Sequence, residues 1–434
     1  MGAAASLGSG DFNDPMTNLF ESCAPCEKQL QTAKTMAQTD QTAVSYRNLV
    51  LISAALVAIG LGAFLVQLAG EHPERAWHAY HINFLLWSAI AQGGLLFSIV
   101  MHLVKARWSQ PMQSLAEAFA AFFPLSFVLF ILLFLGKEYL FPWLHHEHGK
   151  EVWLNMPFLF SRDLVGLLFL YGLGLAYLYC ALRLKLEPSR LEGRVRSFVL
   201  RGKTGSDEEA QGYRKKMTVL SVLYILAYAL VLSLLGFDLI MSMEPHWFST
   251  LFGAYVFAKA FYLGLAALMI LSASLCLGSR GESRLKSSHF HDLGKLLFAF
   301  CLVWADFFYV QLLVVWYGNI SEETHYVIQR VMLSPWKSLA WGVFIVSFLI
   351  PFFILLNRRV KTKPIPMIIL CSVVIIGLWL EHLLLLGPAW NRHVSSLPLG
   401  PVDLLISLGF LGLMAFALAT FLRVFPEFIP ERTS

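Results

Sequence analysis

From residue 49 onward the chain alternates long apolar runs with shorter polar connections, and ten of the runs are near the length that crosses a bilayer as a helix. They fall at about residues 49–69, 82–104, 115–135, 164–184, 218–241, 250–276, 296–317, 338–356, 366–386 and 404–424. Backbone groups in lipid must be paired within a segment or around a closed barrel. Barrel strands would be shorter and would alternate apolar with polar positions, which these runs do not. The predicted fold class is therefore all-α, a polytopic membrane protein of about ten transmembrane helices. Residues 1–46 are polar, rich in Ala, Thr and Gln, and lack the apolar core of a cleaved signal peptide, so they are expected to form a retained tail. The predicted organisation is thus a tail over 1–46 and a ten-helix membrane domain over 47–434.

Orientation follows from the basic residues. Of the 33 Lys and Arg, 25 fall in the tail and the connections after even-numbered runs, counting Arg183 and Arg423 at the ends of their runs, 7 fall in the opposite set, and Lys259 lies deep inside a run. By the positive-inside rule both termini face the cytoplasm, and the turn holding Glu244 and His246 faces outward. The predicted location is the bacterial inner membrane. The longest basic connection, 185–216, is expected to be a mobile solvated loop because it carries Gly202, Gly205, Gly212 and an acidic run. The longest outer connection, 136–163, is rich in aromatics and is expected at the interface.

Composition agrees with this class and removes others. The chain of 434 residues is 57% hydrophobic and 14% charged, with mean hydropathy +0.63; a soluble domain carries about 25% charged residues. A net charge of +5 is explained by orientation, so nucleic acid is not a partner. Six cysteines stand at 23, 26, 180, 276, 301 and 371, four of them inside apolar runs, and suggest no disulfide framework. Cys23-Ala-Pro-Cys26 is followed by Glu27 rather than His, which excludes a c-type haem attachment. The histidines stand at mismatched depths, which argues against b-type haem. His145, His146 and His148 form an outer loop cluster with the chemistry to hold a metal, but no cofactor or metal is expected by motif.

Ionisable residues inside apolar runs are the strongest functional signals. The stretch 237–259, FDLIMSMEPHWFSTLFGAYVFAK, leaves one run, turns, and places Lys259 about eleven residues, or roughly 16 Å, into the next. Asp306, equally deep in the following run, is its expected partner. Glu381 and His382 sit in the outer part of the ninth run, where adjacent positions on a helix point in different directions, so both are not expected to line one path equally. His78, His81, Asn83, Arg162, Asp163, Asp238, Glu244 and His246 cluster by depth at the outer surface. His102 and Glu117, with Lys295 and Arg423, are candidates for an inner mouth. The resulting ladder for protons runs from Asp238, Glu381 and His382 through Asp306 and Lys259 to His102 and Glu117, with Gln311 and Tyr262 as neutral supports, while Gln67, Gln92 and Gln311 are groups that either hold water inside a bundle or bridge helices. A buried pair that only fixes helix register is the competing structural reading.

Trp77 and Trp247 each open an apolar run after an outer turn holding Glu, Pro and His, a faint sign of an internal repeat over runs two to five and six to nine. The stretches GFDLIMSMEPHWFSTLFGAY (236–255) and WADFFYVQLLVVWYGNISEET (304–324) resemble NrfD-like, polysulfide-reductase-type membrane subunits. Within them the resemblance is greatest to the second NrfD-like subunit of bacterial alternative complex III, a quinol:cytochrome c oxidoreductase. That resemblance implies two four-helix bundles, spans 2–5 and 6–9, flanked by spans 1 and 10. It implies quinol or menaquinol as the substrate of the complex, with haem c and iron–sulfur clusters in partner subunits. The implied partners are a sister NrfD-like subunit, an iron–sulfur subunit and c-type cytochrome subunits. The chain itself shows no redox-centre motif, so its expected share is a proton-conducting path and a quinone-contacting surface. The rival functions are an ion- or proton-coupled secondary transporter and a purely structural anchor.

Overall fold

The computed structural model describes residues 47–145, 149–186, 194–278, 284–390 and 397–430. The 1–46 tail with Cys23 and Cys26, and the loop residues His146 and His148, lie outside the described residues, as does the side chain of His145. Residues 50–434 form one compact unit, and the architecture below is that of this unit.

The described chain is helical without a strand, and ten helices are long and apolar enough to cross a membrane. They are α1 (Arg47–Leu68), α2 (Pro73–Leu103), α3 (Arg107–Leu140), α4 (Met156–Lys185), α5 (Asp207–Met243), α6 (Phe252–Gly278), α7 (Ser287–Gly318), α8 (Trp336–Leu356), α9 (Pro364–Trp390) and α10 (Pro401–Val424). Helices α2 to α5 pack as one ring of neighbours and α6 to α9 as another, with α10 against α2 and α3. Two four-helix bundles are therefore present, joined mainly through α2 and α6.

Local chemistry sets the helix ends. Pro73 and Pro401 stand in the first turns of α2 and α10, where a missing N–H costs nothing. Asn155 accepts from the Phe158 amide at 3.0 Å and starts α4 at Met156, several residues before the apolar run begins. Ser206 accepts from the Glu209 amide at 3.2 Å and starts α5 at Asp207. That cap corrects the expectation of a mobile loop over 185–216. Residues Arg194–Leu200 form a helix, Arg183 bonds Glu209 at 2.6 Å and the Val199 and Arg201 carbonyls at 2.9 Å, and Arg196 pairs with Glu427. The basic residues of this connection thus tie it to the helix ends as well as setting orientation.

The two bundles meet where side chains are absent. A Cβ on Gly93 of α2 would lie 2.0 Å from the Ala260 carbonyl oxygen, and one on Gly264 of α6 would lie 2.2 Å from the Gly93 carbonyl carbon. Small residues allow this backbone approach, the usual device for packing helices in lipid. Gly60 of α1 and Gly409 of α10 approach in the same way.

Gly93→Ala is expected to destabilise the detergent-solubilised protein by about 1–3 kcal/mol, because backbone on both helices must move apart. Gly172→Ala, where nothing lies within 4 Å of the added carbon, is the matched control and should be neutral or slightly stabilising. Equal thermal unfolding of the two variants would show that the crossing does not depend on the missing side chain.

Candidate functional site

The polar centre of the second bundle is built on Tyr255, Lys259 and Tyr262, which fall on one face of α6 at spacings of four and three. Lys259 Nζ lies 3.1 Å from Glu381 Oε1 of α9, with both side chains almost fully buried. Tyr255 donates its hydroxyl to the same oxygen, and Trp304 of α7 donates its indole N–H to Glu381 Oε2 at 3.1 Å. The ammonium also lies 5.1 Å from the centre of the Tyr255 ring. One carboxylate of α9 thus takes one cation and two neutral donors from α6 and α7, joining three helices.

This corrects the expected pair. Asp306 is exposed, and Lys259 is bonded to Glu381 instead. Asp306 follows the buried Trp304 by two positions, about 200° around the helix, so the two cannot face the same neighbours. Glu381 and His382 are also less divided than their adjacency implied, since both are buried. His382 bonds through Nδ1 to the Leu378 carbonyl at 2.7 Å and lies close enough to His81 of α2 to interact with it electrostatically.

Below this cluster α8 supplies a backbone group. Pro351 has no N–H, so the Ser347 carbonyl, four residues earlier, lacks its α-helical donor, and the backbone takes a π-helical turn over Ile345–Leu349. Tyr262 donates to that carbonyl at 3.2 Å, and the Cys301 thiol lies 3.8 Å from it. Gln311 does not reach this network and has a buried side-chain nitrogen without a partner.

The first bundle holds a separate column. At its outer end Arg162 grips Asp238 through two nitrogens, each at 2.5 Å, and Trp153 adds a third donor at 3.2 Å. Asp163 is fully buried beside it, with no hydrogen-bond donor on either oxygen. Two carboxyl groups therefore stand near one guanidinium, which of the two bonds only Asp238. Midway, Tyr171 meets Ser126 at 2.8 Å and Ser88 at 3.0 Å, and Gln92 donates to Ser88 at 2.8 Å. At the inner end Ser98 donates to Glu117 at 3.0 Å and lies 3.4 Å from the Tyr177 hydroxyl, while Lys185 pairs with Glu117. His102 packs its ring edge-on to Tyr177 at 6.1 Å, so the predicted inner residues His102 and Glu117 do come together. Lys295 and Arg423 do not join them and are exposed.

The predicted outer cluster divides into three. Asp163 belongs with Arg162 and Asp238. His78 stacks on Trp390 at 4.0 Å and His81 approaches the same ring at 5.8 Å, between α2 and α9. Glu244 is buried near Tyr326 and Arg330, where Tyr326 stacks on Trp247 at 3.7 Å and Arg330 lies 3.5 Å over Tyr326. Burial there pushes the Arg330 guanidinium below its ordinary range, with Tyr326 and Glu244 opposing the shift. His246 is exposed and takes no part. Among the described residues no group of three or more His, Cys, Asp or Glu is arranged to hold a metal ion.

Ten membrane-crossing helices in two bundles, each with a buried acid–base cluster, define a polytopic membrane protein with a charged interior. The family model described as polysulphide reductase, NrfD, matches residues 67–393, and the chain belongs to that family. The match runs from the end of α1 through α9 and so covers both bundles. Proteins of this family are membrane subunits of quinone-interacting oxidoreductase complexes and typically partner iron–sulfur subunits. No curated protein matches the chain.

Removing one partner of a buried ion pair strands the other, at a cost of about 3–5 kcal/mol. Lys259→Met should show a loss of this size in thermal unfolding. Adding Glu381→Gln removes the stranded charge yet keeps an acceptor for Tyr255 and Trp304, and should recover most of it. A double variant no more stable than Lys259→Met alone would refute the pairing energetics.

Proposed function

We propose that this chain is a membrane subunit of a respiratory quinol:cytochrome c oxidoreductase of the alternative complex III type, and that it contributes a proton-conducting path. The observation that carries this reading is the buried Lys259–Glu381 pair with Tyr255 and Trp304, at a depth where ionisable groups are costly and generally functional. On this reading Glu381 exchanges the proton and Lys259 balances its charge. His382 leads outward toward His81, and Tyr262 leads inward toward the Ser347 carbonyl. The column from Asp163 and Asp238 through Tyr171 to Glu117 is a second route of the same kind. Gaps between these rungs exceed a hydrogen bond, so water must complete either route.

The chain is taken to lie in a bacterial inner membrane with both termini cytoplasmic. Its partners are a sister NrfD-like subunit, an iron–sulfur subunit and c-type cytochromes, which carry the haem c and the clusters. A quinone-contacting surface is supported by a cavity of about 130 Å³ between α2, α9 and α10, lined by Arg75, His78, Ile82, Trp379, Trp390 and Asp403 among others. That is close to the cavity of about 150 Å³ that admits benzene. Arg75 and Trp379 both line this largely apolar space, and the Arg75 Nε and the Trp379 indole nitrogen have no hydrogen-bond partner. Arg75 is held there by Asp403 at 2.7 Å. The rival secondary transporter would place interrupted helices at a midplane site, whereas α6 and α7 run unbroken past Lys259 and Trp304.

Glu381→Gln keeps the shape and the acceptor while removing the exchangeable proton. In an assembled complex reconstituted into vesicles, proton movement coupled to quinol oxidation should fall severalfold. Unchanged turnover and unchanged proton stoichiometry would leave the pair a structural brace and the chain an anchor.

A further inference from the structure

Asp306 lies deep inside an apolar run yet outside both polar columns. The apolar stretch of α7 covers residues 296–317, which puts Asp306 about ten residues, or roughly 15 Å, from either end. That is the middle of a hydrocarbon layer about 30 Å thick. Its level is confirmed by Trp304, two positions away, which bonds the buried Glu381. Asp306 is nevertheless exposed, and no hydrogen bond or ion pair reaches it among the described residues.

Its neighbours on that face are not random. Between Lys295 and Tyr309 the exposed positions of α7 are Lys295, Ala299, Leu302, Asp306 and Tyr309, at successive spacings of four, three, four and three. That spacing keeps them on one face, which can pack lengthwise against another helix. The opposite stripe of Leu293, Leu297, Cys301 and Trp304 is already buried against the bundle. Leu302 and Tyr309, one turn either side of the carboxylate, are 40% and 60% exposed.

Lipid cannot be the natural cover of this seam. An ionisable side chain at the bilayer centre is strongly disfavoured, and an aspartate, unlike lysine or arginine, is too short to reach the interface. A second copy of this chain related by a two-fold axis along the membrane normal would bring the two Asp306 side chains to the same depth in the same seam. Like charges there would repel, so the complementary occupant is a different helix.

We infer that the Lys295–Tyr309 face of α7 docks a transmembrane helix of another membrane subunit, and that this helix presents a lysine or arginine level with Asp306. The basic side chain would be unable to sit in lipid alone, so neither surface is complete without the other. The inference is independent of the proton path, since Asp306 touches neither column.

The test uses the whole complex in native membranes. A photo-reactive phenylalanine analogue placed at Leu302, and separately at Tyr309, should crosslink to one and the same membrane subunit on irradiation, with Asp306 intact. Asp306→Leu should lower co-purification of that subunit at least tenfold while the chain itself keeps its level and its thermal unfolding, and Asp306→Glu should restore it. Adducts with lipid only, adducts between two copies of this chain, or an Asp306→Leu complex that retains the subunit would each overturn the proposal.

Discussion

One carboxylate fixes the second bundle. Taking Glu381 and Lys259 out of water costs several kcal/mol per ion, and attraction between them repays it only when the remaining hydrogen-bonding capacity is also met. Tyr255 and Trp304 meet it, so α6, α7 and α9 are each held at one rotation about their own axes. Apolar packing alone would specify this weakly, because lipid tails are as apolar as the side chains they would replace. Helix α6 is in turn seated against α2 by the near contact of Gly93 and Gly264. The first bundle is thereby positioned relative to the same point.

Much of this was legible in the chain. The ten helices follow from run length, and Lys259 was recognisable as buried from its depth. Its partner was not, for two physical reasons. Helix α9 continues to Trp390, beyond the apolar run, so Glu381 lies about nine residues below the helix end instead of in its last turn and a half. Depth alone also ignores rotation: Lys295 and Asp306 are eleven residues apart, which returns to nearly the same face of a helix. That phase marks Asp306 as turned away from the bundle side of α7. Tyr255 and Trp304 gave no signal because aromatic residues at helical spacing look like ordinary core, and their polar ends become evident only when an acceptor arrives from a distant helix. The loop 185–216 was misjudged because the cap at Ser206 and Glu209 was hidden inside what appeared to be a solvated acidic run.

The two bundles place similar chemistry at different depths. In the first, the ionisable groups stand at the ends, Asp163 with Asp238 outside and Glu117 with Lys185 inside, and only hydroxyls and an amide occupy the middle. In the second, the charges stand in the interior and the next polar groups inward are the Tyr262 hydroxyl and the backbone carbonyl, freed by Pro351, to which it donates. The contrast follows from compensation. Neutral Tyr171, Ser88, Ser126 and Gln92 bond one another without an ion and leave only the Gln92 side-chain oxygen unpaired among them, whereas an interior carboxylate requires the full set of donors found around Glu381.

That difference also separates what each cluster can do with a proton. Asp163, Asp238 and Arg162 combine two acids with one base, so a single added proton brings the site to neutrality and can remain there. Lys259 and Glu381 are already balanced one against one. A proton arriving there leaves a net positive charge in surroundings that solvate it poorly, with buried His382 and His81 on the outward side and the Tyr262 hydroxyl inward. On the proposed reading, therefore, the outer carboxyl pair is suited to hold a proton, whereas the interior ion pair is suited to pass one on. The same charge balance makes the interior pair stable at rest, which is why a pair that braces three helices can also serve as a relay without being rebuilt.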